Sequence, residues 1–242
     1  MKTALVTGSS RGIGRATAIR LAKDGYRVII HGAGRIEKAK ETKQIIEENG
    51  GVAEIAMFDL CDVQGIKDFA NKIGEIDVLI LNASLQHAKQ WEEVTIDDCL
   101  EHLNCNFIAS LLLIQSVVPH MKEQGWGRIV TVGSVQELKP HPNMLPYAAS
   151  KAAQTKMVHS LSLQLAPFGI TVNNVAPGVI DTDRNAVALS DPEYAQKVTA
   201  SIPLGFFGQP EDCTGVISLL CSEEGRYITG QSIFVDGGKG IQ

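Results

Sequence analysis

The sequence predicts an α/β fold: a doubly wound parallel sheet of about seven strands with helices on both faces. Three observations lead there. Short apolar runs alternate with stretches of helical periodicity from one end of the chain to the other. The first strand-like run ends in a glycine-rich turn that passes directly into a helix. No linker, low-complexity segment or shift in composition divides the chain, so residues 1–242 read as a single domain.

The elements follow in order. TALVT at 3–7 is a strand, and residues 13–23 carry the first helical pattern. RVIIH at 27–31 is the second strand, followed by a charged helix over 37–49. VAEIAMF at 52–58 gives a third strand, 63–73 a helix, and DVLIL at 77–81 a fourth strand. A long helical stretch covers about 96–124, entered through Thr95 as its N-cap. RIVTV at 128–132 is the fifth strand. The helix over about 146–168 starts at Pro146, whose missing N–H costs nothing at a first helical position. ITVNNVA at 170–176 and SIFVDGG at 232–238 complete the series, and the irregular stretch 180–209 is a candidate flap.

Composition narrows the function. A net charge of −5 and a pI near 5.7 argue against a nucleic-acid-binding surface, which needs a basic excess. The most apolar run, IASLLLIQSVV, is too short for a membrane span and is interrupted by Ser110, Gln115 and Ser116. The five cysteines form no CxxC pair and share no metal-ligand spacing with the six histidines. They suit reduced thiols in a cytoplasmic protein, and no metal site is expected. MKTALVTG runs straight into a strand with no room for a signal peptide, so the Asn82-Ala83-Ser84 sequon reads as accidental.

The turn Thr7-Gly8-Ser9-Ser10-Arg11-Gly12-Ile13-Gly14 has the spacing GxxxGxG. Glycines there permit a tight turn and a close approach of the backbone to a pyrophosphate at the positive end of the helix. Gly8, Ser10, Arg11, Gly12, Ile13 and Gly14 are therefore cofactor-binding candidates. A site for NAD usually places an Asp or Glu after the second strand to hold the ribose 2′-hydroxyl. This chain has His31-Gly32-Ala33-Gly34-Arg35, with no carboxylate before Glu37. Arg11 and Arg35 together could face a 2′-phosphate, so NADP is expected ahead of NAD, which stays possible.

YAASK at 147–151 sets Tyr147 and Lys151 one helical turn apart. A free phenol has a pKa near ~10 and does little proton chemistry at neutral pH. A nearby ammonium favours tyrosinate, and an oxidised nicotinamide's charge would add to this, making Tyr147 a usable general acid or base. Ser134 lies just past RIVTV, at the carboxyl edge where open α/β sheets place their sites, and its hydroxyl can hold a substrate oxygen.

With TGSSRGIG, Asp59-Leu60, NAS at 82–84, Asn106, Ser134, YAASK, PGVIDT at 177–182 and the closing DGG, essentially the whole chain resembles the short-chain dehydrogenases/reductases. The resemblance implies a Rossmann-type NAD(P)-binding domain that moves hydride between nicotinamide and a carbonyl or secondary alcohol. It implies that Tyr147 is the acid/base and that Lys151 also binds the nicotinamide ribose. Ser134 would orient substrate, with Gln136 beside it, and Asn106 would hold a water linking Lys151 to solvent. Asp59 and Leu60 would meet the adenine, and Asn82 and Ala83 the cofactor ribose. Pro177, Gly178, Ile180 and Thr182 would cradle the nicotinamide. A homotetramer or homodimer is implied as well.

Leu81-Asn82-Ala83-Ser84 departs from the family's usual NNAG. The chain also resembles acyl-carrier-protein reductases and sugar or polyol dehydrogenases. Against the former, Phe168 and Phe206 stand where related sequences often show arginine. The expected walls are Gln86, His87, Trp91, Gln136, Glu137, His141, Asn143, Met144 and Asn185. So many polar groups suit a small polar substrate such as a sugar, sugar acid or polyol. An acyl or apolar ketone would instead use Trp91, Met144 and Phe206. A non-catalytic NADP-binding regulator is the remaining class, and it has no need of Asn106, Ser134, Tyr147 and Lys151 together.

Overall fold

The computed structural model describes residues 1–34 and 36–241, with the backbone alone at 187 and 188. In chain order its elements are β1 (Thr3–Val6), α1 (Gly12–Lys23), β2 (Arg27–Gly32), α2 (Ile36–Glu48), β3 (Val52–Met57), α3 (Ile66–Ile73), β4 (Val78–Leu81), α4 (Ile96–Leu103), α5 (Ala109–Gln124), β5 (Gly127–Val132), α6 (Leu145–Leu165), β6 (Ile170–Pro177), α7 (Ala186–Leu189), α8 (Pro192–Ala200), α9 (Pro210–Cys221) and β7 (Ser232–Val235). They build a 7-stranded sheet in the order β3-β2-β1-β4-β5-β6-β7. The described pairings are all parallel. The winding reverses between β1 and β4. Open sheets form their ligand crevice at such a switch point, outside the carboxyl ends of the strands.

A parallel sheet is covered on both faces, and successive side chains along a strand point to opposite sides. Ala4, Val6, Val28, Ile30, Val78, Ile80, Val130 and Val132 pack on one face against Leu21 of α1, Ile46 of α2 and Ile217 of α9. Leu5, Ile29, Leu79, Leu81 and Ile129 face the other way, against Phe69 of α3, Leu113 of α5 and Val158 of α6. The apolar composition of α5 follows from this burial: Leu113, Ile114, Val117 and Met121 belong to the second core.

Two asparagines interrupt the apolar run of β6. Asn173 donates to the Ile228 carbonyl at 2.7 Å and accepts from the Gln231 N–H at 3.1 Å. The Asn174 carboxamide accepts from Thr131 Oγ1 at 2.6 Å and donates to Ser232 Oγ at 2.7 Å. Both side chains are buried and satisfied, so they lace β6 to its neighbours at little cost.

Several boundaries differ from the sequence expectation. The stretch 96–124 is interrupted by a π-helical turn, Asn104–Ile108, between α4 and α5. Thr95 caps α4 through a reciprocal pair with Asp98, as its position suggested. α3 begins at Ile66 rather than 63 because Asp62 and Gly65 form a turn ahead of it. Pro146 is the second residue of α6, not the first. α6 ends at Leu165, and Ala166–Phe168 form a 3₁₀ turn where Pro167 cannot continue the helix. The flap holds the two short helices α7 and α8.

The turn after β1 is sterically set by Gly14. A Cβ there would come within 2.4 Å of the Gly8 carbonyl oxygen and 2.5 Å of Asn82 Nδ2. Gly14→Ala should destabilise the protein by about 1–3 kcal/mol, the scale of overpacking, as read from denaturant midpoints. An unchanged midpoint would show that the turn has room to relax.

Candidate active site

Four side chains singled out in the sequence converge at the carboxyl edge of the sheet. Tyr147 and Lys151 sit in the first turns of α6, 4% and 1% exposed, and Ser134 follows β5 in extended conformation. Ser134 Oγ accepts the Gln136 N–H at 3.2 Å, which starts the 3₁₀ turn Val135–Glu137 and places Gln136 beside it. Lys151 Nζ donates to the Val132 carbonyl at 2.7 Å and to Gln154 Oε1 at 3.2 Å. It stands 5.8 Å from the centroid of the Tyr147 ring.

Burial dominates the electrostatics. It draws the Lys151 ammonium down from 10.5 to about 7, assisted by the charge of Arg184 and opposed by Glu137 and Cys105. Tyr147 is pushed up, again by burial first, with Arg184 and Ser134 pulling the other way. The expectation that Lys151 lowers the phenol pKa is therefore corrected. The cost of enclosing a phenolate outweighs the cations around it, and the cation acting most strongly on Tyr147 is Arg184.

Asn106 lies in the π turn, a feature that often marks functional sites. Its side chain is fixed by the Leu85 backbone, accepting from N–H at 2.7 Å and donating to the carbonyl at 3.0 Å, and it donates to Ser150 Oγ at 2.9 Å. Its own carbonyl accepts from Gln154 Nε2 at 3.1 Å and Ser110 Oγ at 2.9 Å. Asn106 and Lys151 are thus joined through the Gln154 carboxamide. Gln154 was missed in the sequence, although its place three residues past Lys151 puts it on the same helix face.

Two expected wall residues serve other partners. The Glu137 carboxylate accepts from Thr155 Oγ1 at 2.5 Å, Ser232 Oγ at 2.6 Å and Asn174 Nδ2 at 2.9 Å, which ties the loop after β5 to β6 and β7. Asn185 Nδ2 donates to the Ile180 carbonyl at 2.7 Å and shapes the flap from within.

The glycine turn has the form of a diphosphate cradle. Gly8 and Gly12 have φ of 65° and 55°, open to glycine at no steric cost. α1 has no side-chain N-cap and no acidic residue in its first turn, so its leading N–H groups are left for an anion. These features fit a dinucleotide. Ser10 offers its hydroxyl here, while its carbonyl is gripped by Arg15 Nη2 at 2.7 Å. His31 accepts the Gly8 N–H through Nδ1 at 3.1 Å, and burial holds its pKa down to about 4, so it is neutral.

Asn82 donates to the Thr7 and Gly8 carbonyls at 2.9 and 3.1 Å, and Ala83 N–H donates to Thr7 Oγ1 at 3.0 Å. Both brace the turn from the end of β4. Asp59 is exposed beyond β3 and accepts the Cys61 N–H at 3.0 Å. The side chains of Leu60 and Ile180 are buried in the cores, and Ile13 packs partly buried against the first of them. Gly178, after Pro177, lets Asp236 of the closing DGG lie close: a Cβ would meet Asp236 Cα at 2.7 Å. Thr182 reaches over the turn, its Cγ2 3.3 Å from a Cβ placed on Gly12. Arg11 pairs with Asp183 of the flap at 3.6 Å, and Arg35 lies outside the described residues.

The flap also contributes Arg184, which the sequence reading passed over inside an irregular stretch. Its Nη1 donates to Ser84 Oγ at 3.0 Å and its Nη2 to the Ser84 carbonyl at 2.8 Å. Among the described residues no non-glycine has positive φ, so Ser84 fills its place in Leu81-Asn82-Ala83-Ser84 without backbone strain.

The lowered pKa of Lys151 has a stability consequence. The folded chain releases this proton near 7 and the unfolded chain near 10.5, so between those values the unfolded state binds more protons. Stability therefore rises with pH across that window. Lys151→Met should remove the rise, and between pH 7 and 9 the wild type should gain about 2 kcal/mol relative to the variant. Parallel pH profiles from chemical denaturation would contradict the assignment.

The family model for short chain dehydrogenase matches residues 2–193. A 3-oxoacyl-(acyl-carrier-protein) reductase from Aquifex aeolicus is 40% identical over 242 residues, covering 98% of this chain and 96% of that one. An L-rhamnose 1-dehydrogenase (NAD(P)(+)) from Azotobacter vinelandii is 35% identical over 245 residues, with 98% and 96% coverage. The crystal structure of a gluconate 5-dehydrogenase from Burkholderia cenocepacia, in complex with NADP and tartrate, superposes with a TM-score of 0.93 at 30% identity, over 100% of this chain and 96% of that one. With seven parallel strands in the order of a doubly wound sheet and a serine, tyrosine and lysine meeting at their carboxyl edge, the chain belongs to the short-chain dehydrogenase family of nicotinamide-dependent oxidoreductases.

Proposed function

We propose that this chain is an NADP(H)-preferring oxidoreductase that moves hydride between the nicotinamide and a carbonyl or secondary alcohol on a small polar substrate of sugar, sugar-acid or polyol type. The observation that carries this reading is the polar setting of the Tyr147 phenol, with the Ser134 hydroxyl and the Arg184 guanidinium beside it. Gln136 and Gln86 continue the polar lining, both donating to Met144 Sδ, at 3.1 and 3.3 Å. The preference for NADP rests on the missing carboxylate after β2, where neutral His31 turns under the glycine turn, and on the NADP held by the gluconate 5-dehydrogenase relative.

When bound, the nicotinamide supplies or accepts the hydride. The chain's own residues do the rest. Ser134 Oγ fixes the substrate oxygen, and Tyr147 gives that oxygen a proton in reduction or takes one in oxidation. A donor with a raised pKa holds its proton at neutral pH, which suits reduction. Lys151, with a pKa near neutrality, can restore the phenol's proton, and Gln154 holds it against the Asn106 carbonyl. The N-terminus of α1 and the turn from Gly8 to Gly14 bind the diphosphate. In this reading the protein is cytoplasmic and assembles as a homotetramer or homodimer.

A second reading, reduction of a 3-oxoacyl thioester on a carrier protein, is favoured by the identity to the Aquifex reductase. Against it, Phe168 and Phe206 are exposed where an acidic carrier would meet basic side chains. Tyr147→Phe should still bind NADPH while its turnover falls by about 10²-fold or more, the scale of lost general acid catalysis. Steady-state rates on polyols and sugar acids with NADP+ and NAD+, and on acetoacetyl thioesters with NADPH and NADH, would check it. Full turnover by the variant would remove Tyr147 from its role, and a rate confined to the thioester would select the second reading.

A further inference from the structure

We infer that Arg184 is the specificity-determining residue of this site and receives a carboxylate carried a few carbons from the reacting centre, so that the substrate is a hydroxy acid or oxo acid rather than a neutral polyol. This rests on the oxidoreductase reading above and narrows it.

Arg184 reaches from the flap across to the loop after β4. It is anchored there by Ser84 through the hydroxyl and the carbonyl, and by Gln86 Oε1 at 3.4 Å. Those three bonds, together with the one made to the Tyr147 phenol, leave part of the five-donor fork unspent. The guanidinium lies close enough to the phenol to act on Tyr147, and its charge is also felt at Lys151. A substrate whose oxygen rests on Ser134 and Tyr147 therefore presents its neighbouring carbons to this fork.

The guanidinium also has no carboxylate of its own among the described residues. Arg11, Arg15, Arg20, Arg27 and Arg128 each pair with an Asp or Glu. The adjacent Asp183 is turned to Arg11, and Glu137 is held by Thr155, Asn174 and Ser232. A planar fork without a counter-ion, next to a proton donor, matches a carboxylate in shape and charge. The serine that stands in place of the usual glycine in Leu81-Asn82-Ala83-Ser84 supplies the hydroxyl that aims Arg184. The local departure in sequence thereby acquires a purpose. In oxidation, hydride would leave the carbinol carbon for the nicotinamide, the hydroxyl proton would pass to Tyr147 as the phenol's own proton passes on to unprotonated Lys151, and the carboxylate stays ionised on Arg184 throughout.

The test compares matched pairs on the full chain saturated with NADP. Calorimetry would measure L-tartrate against L-threitol, which differ only by carboxylate for hydroxymethyl. Initial rates would compare D-gluconate with D-sorbitol and 3-hydroxybutyrate with 2-butanol. Tartrate should bind at least about 10-fold more tightly than threitol. Arg184→Gln should weaken tartrate by about 10- to 100-fold, the scale of a charge-assisted hydrogen bond. Arg184→Lys should recover part of that loss. Ser84→Gly, which keeps the guanidinium but removes the hydroxyl that aims it, should weaken tartrate by less than Arg184→Gln does, and serves if the glutamine variant fails to fold. Equal binding of tartrate and threitol, or tartrate binding indifferent to Arg184, overturns the assignment. Turnover of neutral polyols without preference for acids would reject Arg184 and leave the oxidoreductase standing. Loss of all turnover across every pair, with tartrate still bound through Arg184, would instead reject the substrate reading on which the inference rests.

Discussion

Enclosing one ammonium group at the end of a strand is the constraint around which this site is arranged. Lys151 is almost without solvent, and burying a cation is costly unless it is paired or shifts its pKa. The chain does both. The Val132 carbonyl and the Gln154 amide oxygen take two of its protons, and its pKa falls to about 7. To supply Val132, β5 must end against the first turns of α6. To supply Gln154, the carboxamide must itself be oriented, and Asn106 and Ser110 do this from the opposite helix. The π turn at Asn104–Ile108 presents the Asn106 carbonyl for that purpose, while Leu85 grips the side chain.

The cofactor side follows the same economy, with side chains spent on holding backbone. Asn82 and His31 bind the glycine turn itself, Thr7 Oγ1 holds the backbone of Asn82 and Ala83, and Arg15 holds the Ser10 carbonyl. The turn therefore meets a ligand as a rigid array of N–H groups at the head of α1, which favours preorganised anion binding. The flap closes the opposite side. Asp183 pairs with Arg11, Thr182 lies over Gly12, and Arg184 reaches the loop after β4. The glycine turn and the loop after β4 are thus joined by three consecutive flap residues.

The strands were legible because a parallel sheet buries both faces, so that TALVT, RVIIH and RIVTV stand out as apolar runs. The serine, tyrosine and lysine were legible because they fall at fixed places relative to those strands and to the helix after them. The π turn was not, since one extra residue in a long apolar helix scarcely disturbs its periodicity. Gln154 was invisible because a polar residue on a helix reads as solvent-facing until the partner helix is known. Arg184 was invisible for another reason: nothing in the irregular stretch after PGVIDT says which loop it will cross to. The direction of the Tyr147 shift was misread because sequence spacing reveals the nearby cation but not the loss of water, and here desolvation is the larger effect.

Chiefly by burial, the fold brings Lys151 into the neutral range beside the Tyr147 phenol. The most direct measurement is a site-resolved NMR titration of the Lys151 side-chain ammonium in isotopically labelled protein, with Lys151→Met to assign the signal. The midpoint should fall near 7, well below the ordinary 10.5 of a free lysine. A midpoint at the ordinary value would contradict it.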